Sequence, residues 1–513
     1  MTTKKDIAKE LARSTFFNIV GWAWPLVLAF ASTPFFLKGL GKDRFAILGI
    51  VAILSGYIGF INRPLAIGMV KYLAEDYGKG DLVSLKKNAL NGLLVGFALS
   101  AIGGGAIYIF ALPLTYKVFN ISFELKNEAL TCMKIAGLNF FIVGSLNSVK
   151  SLYASLSRYD YLNVINLTAA TLNVGLMAAA LYSGYGLIGM VLAQTLAFSF
   201  SLLIAIALLR IFKYYYGGIL AIKNLSIRRA KKILSYSKFL FVGGLASALN
   251  LEIDKLAVST LLTTSQITDY LIPSKITERL PGFIDRFTTA LYPLSAETNS
   301  RGEKIFLLIL YRRSIAILLW IVSSIAVLLI LTSRDLLTLW VGSDIGNNSY
   351  IVLQLLAVAV IFRASGAVAY QIANGLGRAD IYMKISIASV IIVPVPVYFA
   401  TKVWGVIGAA GALTIAMLVL NVFYDFYVQT RVLFAKREFK IFFPYFSSIA
   451  MVLTAFACAI ILENYKIQPI NFLIIKIGIA ISISIVLAAS VGPLSFKDFR
   501  RIPKKFLSAV ISN

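Results

Sequence analysis

Long apolar stretches separated by short polar segments follow one another along the whole chain. A window of about 20 apolar residues is long enough to cross a bilayer as an α-helix. The pattern therefore predicts an all-α polytopic membrane protein with about 14 transmembrane helices, or 12 or 13 if the eighth and fourteenth stretches do not span. The predicted spans are 12–37, 45–71, 88–112, 128–155, 161–183, 186–210, 236–262, 274–297, 305–331, 350–374, 381–400, 403–430, 442–462 and 470–492.

Lysine and arginine residues are distributed unequally between the two sets of loops. With the N-terminus in the cytoplasm, the inner segments carry 31 of them and the outer segments carry 9. Because positive residues favour the cytoplasmic side, this asymmetry supports an even number of spans in the cytoplasmic membrane with both termini inside.

Four short motifs recur in the same order at offsets of 219 to 223 residues. Since the offset contains six spans, both copies enter the membrane in the same direction, which predicts a parallel repeat about an axis along the membrane normal. The pairs are Gly59–Arg63 with Gly282–Arg286, Ala74–Glu75 with Ala296–Glu297, Ala154–Asp160 with Asn374–Asp380, and Gly186–Gly189 with Gly405–Gly408.

The repeat predicts four segments in the chain. Residues 1–212 form an N-terminal six-helix lobe, and residues 213–235 form a basic cytoplasmic linker. Residues 236–433 form a C-terminal six-helix lobe, and residues 434–513 add two helices and a basic tail.

Composition narrows the possible chemistry. The chain is 59% hydrophobic and 14% charged, and it contains no histidine, which excludes a histidine metal site and an imidazole proton relay. Cys132 and Cys458 lie in apolar segments and are interpreted as packing residues. The net charge of +26 fits basic loops beside anionic lipid better than a nucleic-acid partner.

The eighth predicted span carries four charges and a predicted helix break. Glu278 and Arg279 precede Pro281-Gly282, and Asp285 and Arg286 follow it. A span with four charges is not expected to face lipid, so it lines either a water-filled cavity or a neutralised ion-pair network that holds helices together.

Further charges lie within other predicted spans. Arg63 has no adjacent carboxylate, and Glu252 and Lys255 are spaced to pair on one helical turn. Asp254 points elsewhere and is either a protonatable or cation-binding carboxylate or a salt-bridge partner of a lumen arginine. Arg363 and Lys134 add positive charge to the same predicted cavity.

A cavity rich in arginine and lysine suits a large anionic substrate, because arginine binds phosphate oxygens bidentately. A small organic cation would instead require an acidic and aromatic pocket. Most of the 25 tyrosines are explained by the aromatic belts at the membrane interfaces.

The chain resembles the Wzx-type lipid-linked oligosaccharide flippases, polysaccharide transporters of the MATE-like MOP superfamily. The resemblance covers roughly residues 10–435. It lies in the helix layout and in short motifs: Lys231–Leu245, Glu252-Ile-Asp-Lys255, Asn374-Gly-Leu-Gly-Arg378 and Trp404–Gly411.

The resemblance implies two six-helix lobes around a cationic cavity that carry a polyprenyl-pyrophosphate-linked glycan from the cytoplasmic to the outer leaflet. Arg63, Arg279, Arg286 and Lys255 would contact the headgroup, with Arg363 and Lys134 as further cavity cations. Asp254, Glu252, Asp285 and Glu278 are the ion-coupling candidates, with H⁺ or Na⁺ as the ion. No cofactor is expected, and the expected partners are membrane lipid and the polysaccharide polymerase machinery.

Three other functions fit part of this pattern. A MATE-like exporter of small molecules fits the layout, and a lipid II flippase fits the two extra helices. A membrane glycosyltransferase or polymerase is the enzyme alternative, but the short outer loops contain no pair of carboxylates close enough to bind a metal ion.

Overall fold

The structure is a computed structural model in which every regular element of the described part of the chain is helical. It describes residues 4–56, 65, 68–69, 72–73, 75–76, 79–155, 158–216, 224–433, 442–463 and 475–484. The all-α class predicted from the apolar pattern is confirmed.

Fifteen α-helices within the described residues are numbered in chain order. The first half contains α1 Lys4–Gly56, α2 Leu82–Pro113, α3 Lys126–Ser155, α4 Tyr159–Tyr182 and α5 Gly186–Tyr216. The second half contains α6 Ile227–Leu261, α7 Thr264–Thr277, α8 Leu280–Thr289, α9 Leu291–Ser300, α10 Lys304–Val341, α11 Ser343–Gly375, α12 Ala379–Ile392, α13 Pro394–Tyr427, α14 Phe443–Glu463 and α15 Ile475–Ser484.

Eight helical stretches within the described residues are long and apolar enough to cross a membrane. Two of the long helices contain a glycine with positive φ. Gly41 in α1 lies between two predicted spans, and Gly405 in α13 lies near the start of the predicted span 403–430. A multi-pass membrane protein is therefore confirmed, whereas the number of 14 spans stays a prediction.

The chain divides into two compact units. The first comprises Met1–Glu252 and Ser259–Thr268, and the second comprises Ile253–Val258 and Asp269–Asn513. The four segment boundaries proposed from the repeat stay predictions.

Close backbone contact holds α2 and α3 together in the first unit. A methyl group at Gly137 would lie 2.6 Å from the carbonyl oxygen of Gly104, so only glycine fits at this crossing. Closer to the C-terminus of α3, the Tyr153 hydroxyl donates a 2.7 Å hydrogen bond to the carbonyl of Ala205 in α5. Small residues at such crossings let membrane helices approach closely.

In the second unit, both helices beyond the repeat contact the six-helix lobe. Asp425 of α13 accepts a 2.8 Å hydrogen bond from Tyr445 of α14. Lys476 of α15 forms a 2.6 Å ion pair with Asp335 of α10. The two predicted extra helices are therefore fixed to this lobe by polar contacts.

The predicted repeat has a counterpart in local geometry. Arg158 and Arg378 each cap the start of a helix, and their Nε atoms each lie 3.0 Å from the carboxylate two residues later, in Asp160 and Asp380. These hydrogen bonds raise the pKa of both arginines. The glycines of the fourth motif pair, Gly186 and Gly405, both have φ of 59°.

The eighth predicted span differs from the sequence expectation at its start. Residues 264–273, which the apolar pattern assigns to an outer loop, belong to α7. The reason is a capping contact: the backbone N–H of Thr263 donates to the Gln266 side chain at 3.2 Å, which starts the helix immediately after the turn.

Candidate functional site

The predicted break in the eighth span is present and positions two charged residues. Helix α7 ends at Thr277, and α8 begins at Leu280 with Pro281 in its first turn. Proline fits the first turn of a helix because the N–H that it lacks has no intrahelical acceptor there. Glu278 and Arg279 therefore lie in the break, and both side chains are exposed.

Lys255 of α6 forms an ion pair with Glu278. Their charged atoms are 2.5 Å apart, with 8% of the lysine side chain exposed against 43% of the glutamate side chain. The lysine is thus buried against a carboxylate that reaches water, an arrangement that satisfies a charge otherwise costly at this depth. Two predicted site residues from different spans are brought together here.

Asp254 lies next to Lys255 on α6 and is buried, with 4% of its surface exposed. Its carboxylate accepts a 2.5 Å hydrogen bond from the hydroxyl of Tyr270 on α7. Asp254 and Lys255 therefore have different partners, as expected from their different directions on the helix.

Arg363 of α11 lies near the same group of residues. Its guanidinium is half-buried and interacts electrostatically with Asp285 of α8, with Asp254 and with Tyr382 of α12. A positive charge and two carboxylates from three helices thus share one region of the second unit. We call Asp254, Lys255, Tyr270, Glu278, Asp285 and Arg363 the polar cluster.

Arg279 and Arg286 lie near the two ends of α8. Arg279 occupies the N-cap position without a capping hydrogen bond from its side chain, Arg286 lies in the last turn, and both side chains are exposed. The exposed Asp285 precedes Arg286, so positive and negative charges alternate along a segment that the apolar pattern assigns to the membrane.

Besides Arg279 and Arg286, three more predicted site residues are not part of the polar cluster. Arg63 lies outside the described residues. Lys134 lies on α3 in the first unit, exposed, with its ammonium 5.9 Å from the ring centre of Tyr108. Glu252 is half-buried on α6 and belongs to the first unit.

A second buried carboxylate has partners that sequence reasoning missed. Asp425 is 1% exposed and accepts hydrogen bonds from the hydroxyls of Tyr311 and Tyr445 and from the Gln429 amide at 3.2 Å. Its carboxylate is saturated by neutral donors from three helices. We interpret Asp425 as a structural residue.

The polar cluster combines positive groups, carboxylates and a tyrosine hydroxyl without a metal-ligand arrangement. Within the described ranges, no three His, Cys, Asp or Glu side chains come close enough to hold a metal ion. The chemical possibilities are therefore binding of charged or polar groups and exchange of a proton or a monovalent cation at a carboxylate.

Comparison with known proteins gives related transporters. No family model matches the chain. A Shigella flexneri protein named as an O-antigen transporter is 20% identical over 416 residues, which cover 78% of this chain and 93% of that protein.

Two solved structures share the fold at low sequence identity. An inward-facing MATE family multidrug resistance transporter of the MOP superfamily has a TM-score of 0.70 and 17% identity, covering 82% of this chain and 99% of its own. The lipid II flippase MurJ, in an inward closed conformation, has a TM-score of 0.70 and 16% identity, covering 93% and 98%.

The chain has the fold of these transporters and is similar in sequence to the O-antigen transporter along most of its length. The MATE-like fold that the resemblance implies is confirmed, and the similarity to an O-antigen transporter supports the resemblance to the Wzx-type transporters. The proteins that it is similar to are transporters and flippases, which agrees with the prediction of a transporter rather than an enzyme.

Proposed function

We propose that this protein is a flippase for polyprenyl-pyrophosphate-linked oligosaccharide. It moves this substrate from the cytoplasmic to the outer leaflet of the cytoplasmic membrane by alternating access. The observation that carries the proposal is the similarity to an O-antigen transporter along 93% of that protein. Further support comes from charged side chains within segments assigned to the membrane, because such residues mark substrate and ion pathways.

In this proposal, Arg279 and Arg286 bind the pyrophosphate, together with Arg63 of the first lobe. Both described arginines are exposed, Arg279 at the start of α8 and Arg286 in its last turn. An anionic ligand can therefore reach their guanidinium groups. Arginine suits this role because its planar fork donates two parallel hydrogen bonds to phosphate oxygens.

Asp254 is the proposed coupling residue. Asp254 is buried, and its carboxylate accepts a hydrogen bond from the neutral hydroxyl of Tyr270. Because this donor carries no charge, protonation of Asp254 would not break an ion pair there. A carboxylate in this setting exchanges a proton at moderate cost, and a change in its charge would alter the electrostatic balance with Arg363.

The lipid II flippase offers a second candidate substrate of the same chemical class. Its structure covers 93% of this chain against 82% for the MATE transporter. The larger coverage favours a lipid-linked substrate over a small organic molecule, and lipid II belongs in the substrate test for that reason.

The test is leaflet translocation in proteoliposomes that contain a polyprenyl-pyrophosphate oligosaccharide, with and without an ion gradient. We expect protein-dependent movement and a roughly 10- to 100-fold lower rate in Arg286→Ala, since a hydrogen bond to a charged group contributes about 1.5–3 kcal/mol. Arg334→Ala, at an exposed arginine of α10, is the matched control. Normal rates in Arg286→Ala and Arg279→Ala would contradict the headgroup role.

The same vesicles test coupling through Asp254→Asn. Because asparagine does not titrate, we expect the variant to lose most of the stimulation by the gradient. Asp344→Asn, at an exposed carboxylate, serves as the control. Full stimulation in Asp254→Asn would remove this residue from the coupling role.

A further inference from the structure

One face of α11 stays partly exposed within an otherwise buried helix. The residues on this face in the second half of the helix are Arg363, Ala367, Tyr370 and Asn374, spaced at intervals of three and four, and the positions between them are mostly buried. Such a spacing puts all four on one helical face. Since a charged and polar face is costly in hydrocarbon, we infer that it faces water or a ligand.

Three tyrosines surround this face. The rings of Tyr370 and Tyr382 pack edge to face with their centres 4.4 Å apart, and the ring of Tyr424 lies 6.3 Å from that of Tyr382. Tyr370 and Tyr382 are half-buried, whereas Tyr424 is 2% exposed. Helices α11, α12 and α13 thus each contribute one ring to what we call the tyrosine triad.

Tyr424 is the member of the triad whose hydroxyl is buried. The phenol of Tyr424 interacts electrostatically with those of Tyr370 and Tyr382. The buried Tyr424 hydroxyl has no hydrogen-bond partner among the described residues. Buried tyrosine hydroxyls usually have a partner, so an unpaired one beside two half-exposed rings indicates a missing polar ligand.

The charges around the triad favour a neutral ligand. Arg363 interacts electrostatically with Tyr382, but also with the carboxylates of Asp285 and Asp254. Two carboxylates beside one guanidinium leave no excess of positive charge for a phosphate. The guanidinium itself disfavours an organic cation.

We propose that the tyrosine triad, with Arg363 and Asp285, is a saccharide subsite that binds a sugar ring of the lipid-linked glycan. Sugar rings present apolar C–H faces that pack on aromatic rings, and hydroxyls that bond to phenol, guanidinium and carboxylate groups. The subsite rests on the proposed flippase function and names the part of the substrate that the second lobe recognises.

The experiment compares binding of two probes to the purified protein in nanodiscs: undecaprenyl pyrophosphate alone, and the same carrier bearing a tetrasaccharide. Three tetrasaccharides of different composition are used. We expect the glycan to raise wild-type affinity. In Tyr382→Ala we expect the ratio of affinities for the glycan-bearing and the bare carrier to fall about three- to tenfold, which corresponds to the loss of an aromatic contact. The affinity for the bare carrier should stay unchanged.

Two further variants separate a ligand contact from a packing role. Tyr398→Ala, at an exposed tyrosine of α13 outside the triad, should keep the full glycan gain. Tyr424→Phe removes only the unpaired hydroxyl, so a packing role predicts an unchanged glycan gain and an equal or higher melting temperature. The subsite instead predicts a glycan gain reduced by about threefold or more.

The outcomes distinguish this proposal from the flippase proposal. Binding of both probes with no glycan gain in wild type, or an equal gain in wild type and Tyr382→Ala, would overturn the subsite and leave the flippase intact. Failure to bind or translocate either probe would overturn both. Binding of ethidium that is lost in Tyr382→Ala would assign the triad to an organic cation instead.

Discussion

At the scale of single residues, the ion pair between Lys255 and Glu278 joins a buried charge to an exposed one. The lysine is 8% exposed, whereas the glutamate reaches water. Removal of Glu278 alone would therefore leave the buried ammonium of Lys255 without the carboxylate of this ion pair. Removal of both charges would leave no buried charge that requires this pairing.

We expect Glu278→Gln to lower the free energy of unfolding by about 1–2 kcal/mol, less than for a fully buried pair because Glu278 is partly solvated. The double variant Lys255→Met/Glu278→Gln should recover most of that loss. Thermal unfolding in detergent measures both. The control is Glu75→Gln, which breaks the exposed pair with Lys79 and should leave the melting temperature close to that of the wild type.

Equal losses in Glu278→Gln and in the double variant would contradict this account, since the buried ammonium would then not be the cause. The control variant must also retain wild-type stability. A drop there would indicate a general sensitivity to lost surface charge.

The sequence identifies the charged members of the polar cluster but not their partners. Asp254 and Tyr270 each lie eight residues from Leu262, in the turn between α6 and α7, so the hairpin brings them to the same depth. The proximity of Asp254 and Tyr270 can be predicted from the sequence only when the turn is known to lie at residues 262–263. Because the apolar pattern assigns residues 264–273 to a loop, it does not place Tyr270 beside Asp254.

At the scale of helices, the crossing of α2 and α3 depends on the absence of side chains. A methyl group at Gly104 would overlap the carbonyl oxygen of Gly137 on the facing backbone. Backbone atoms move away less easily than a flexible side chain does, so the two helices would have to separate.

We predict that Gly104→Ala destabilises the protein by about 1–3 kcal/mol, the usual cost of overpacking a close contact. Its neighbour provides a matched control, since a methyl group at Gly105 has no atom within 4 Å. Gly105→Ala should be neutral or slightly stabilising. Melting temperatures in detergent decide the question, and similar values for both variants would show that this crossing tolerates separation.

Helix positions are the most predictable part of the fold because twenty-residue apolar windows are a strong signal. The subdivision of the eighth span is only partly predictable. Pro281 indicates a break before α8, which is present. Pro293, in the first turn of α9, likewise marks the second interruption at Ala290, which the expectation of one span over 274–297 does not include.

At the scale of the whole molecule, the duplicated architecture is visible in four short motifs. Two of them have matching local geometry, the Arg–Asp contacts that start α4 and α12 and the positive-φ glycines Gly186 and Gly405. At these positions the backbone conformation or a charge pair restricts which residues fit.

The topology follows from the positive residues and is testable with cysteine labelling. In a variant without Cys132 and Cys458, we expect Ser183→Cys to react with a membrane-impermeant maleimide added to intact cells. Glu303→Cys should react only after the membrane is opened. Both positions are exposed in short turns, so each thiol is accessible from its own side. The reverse labelling pattern would place the termini outside.

The contact between Lys476 and Asp335 has a consequence for biogenesis. A lysine within hydrocarbon costs about 2.5–3.5 kcal/mol on insertion scales, and its partner lies 141 residues earlier in the chain. Because synthesis proceeds from the N-terminus, α10 with Asp335 is synthesised before α15 with Lys476. We therefore expect Asp335 to be available as a counter-charge when α15 enters the bilayer, which lowers the free-energy cost of inserting Lys476.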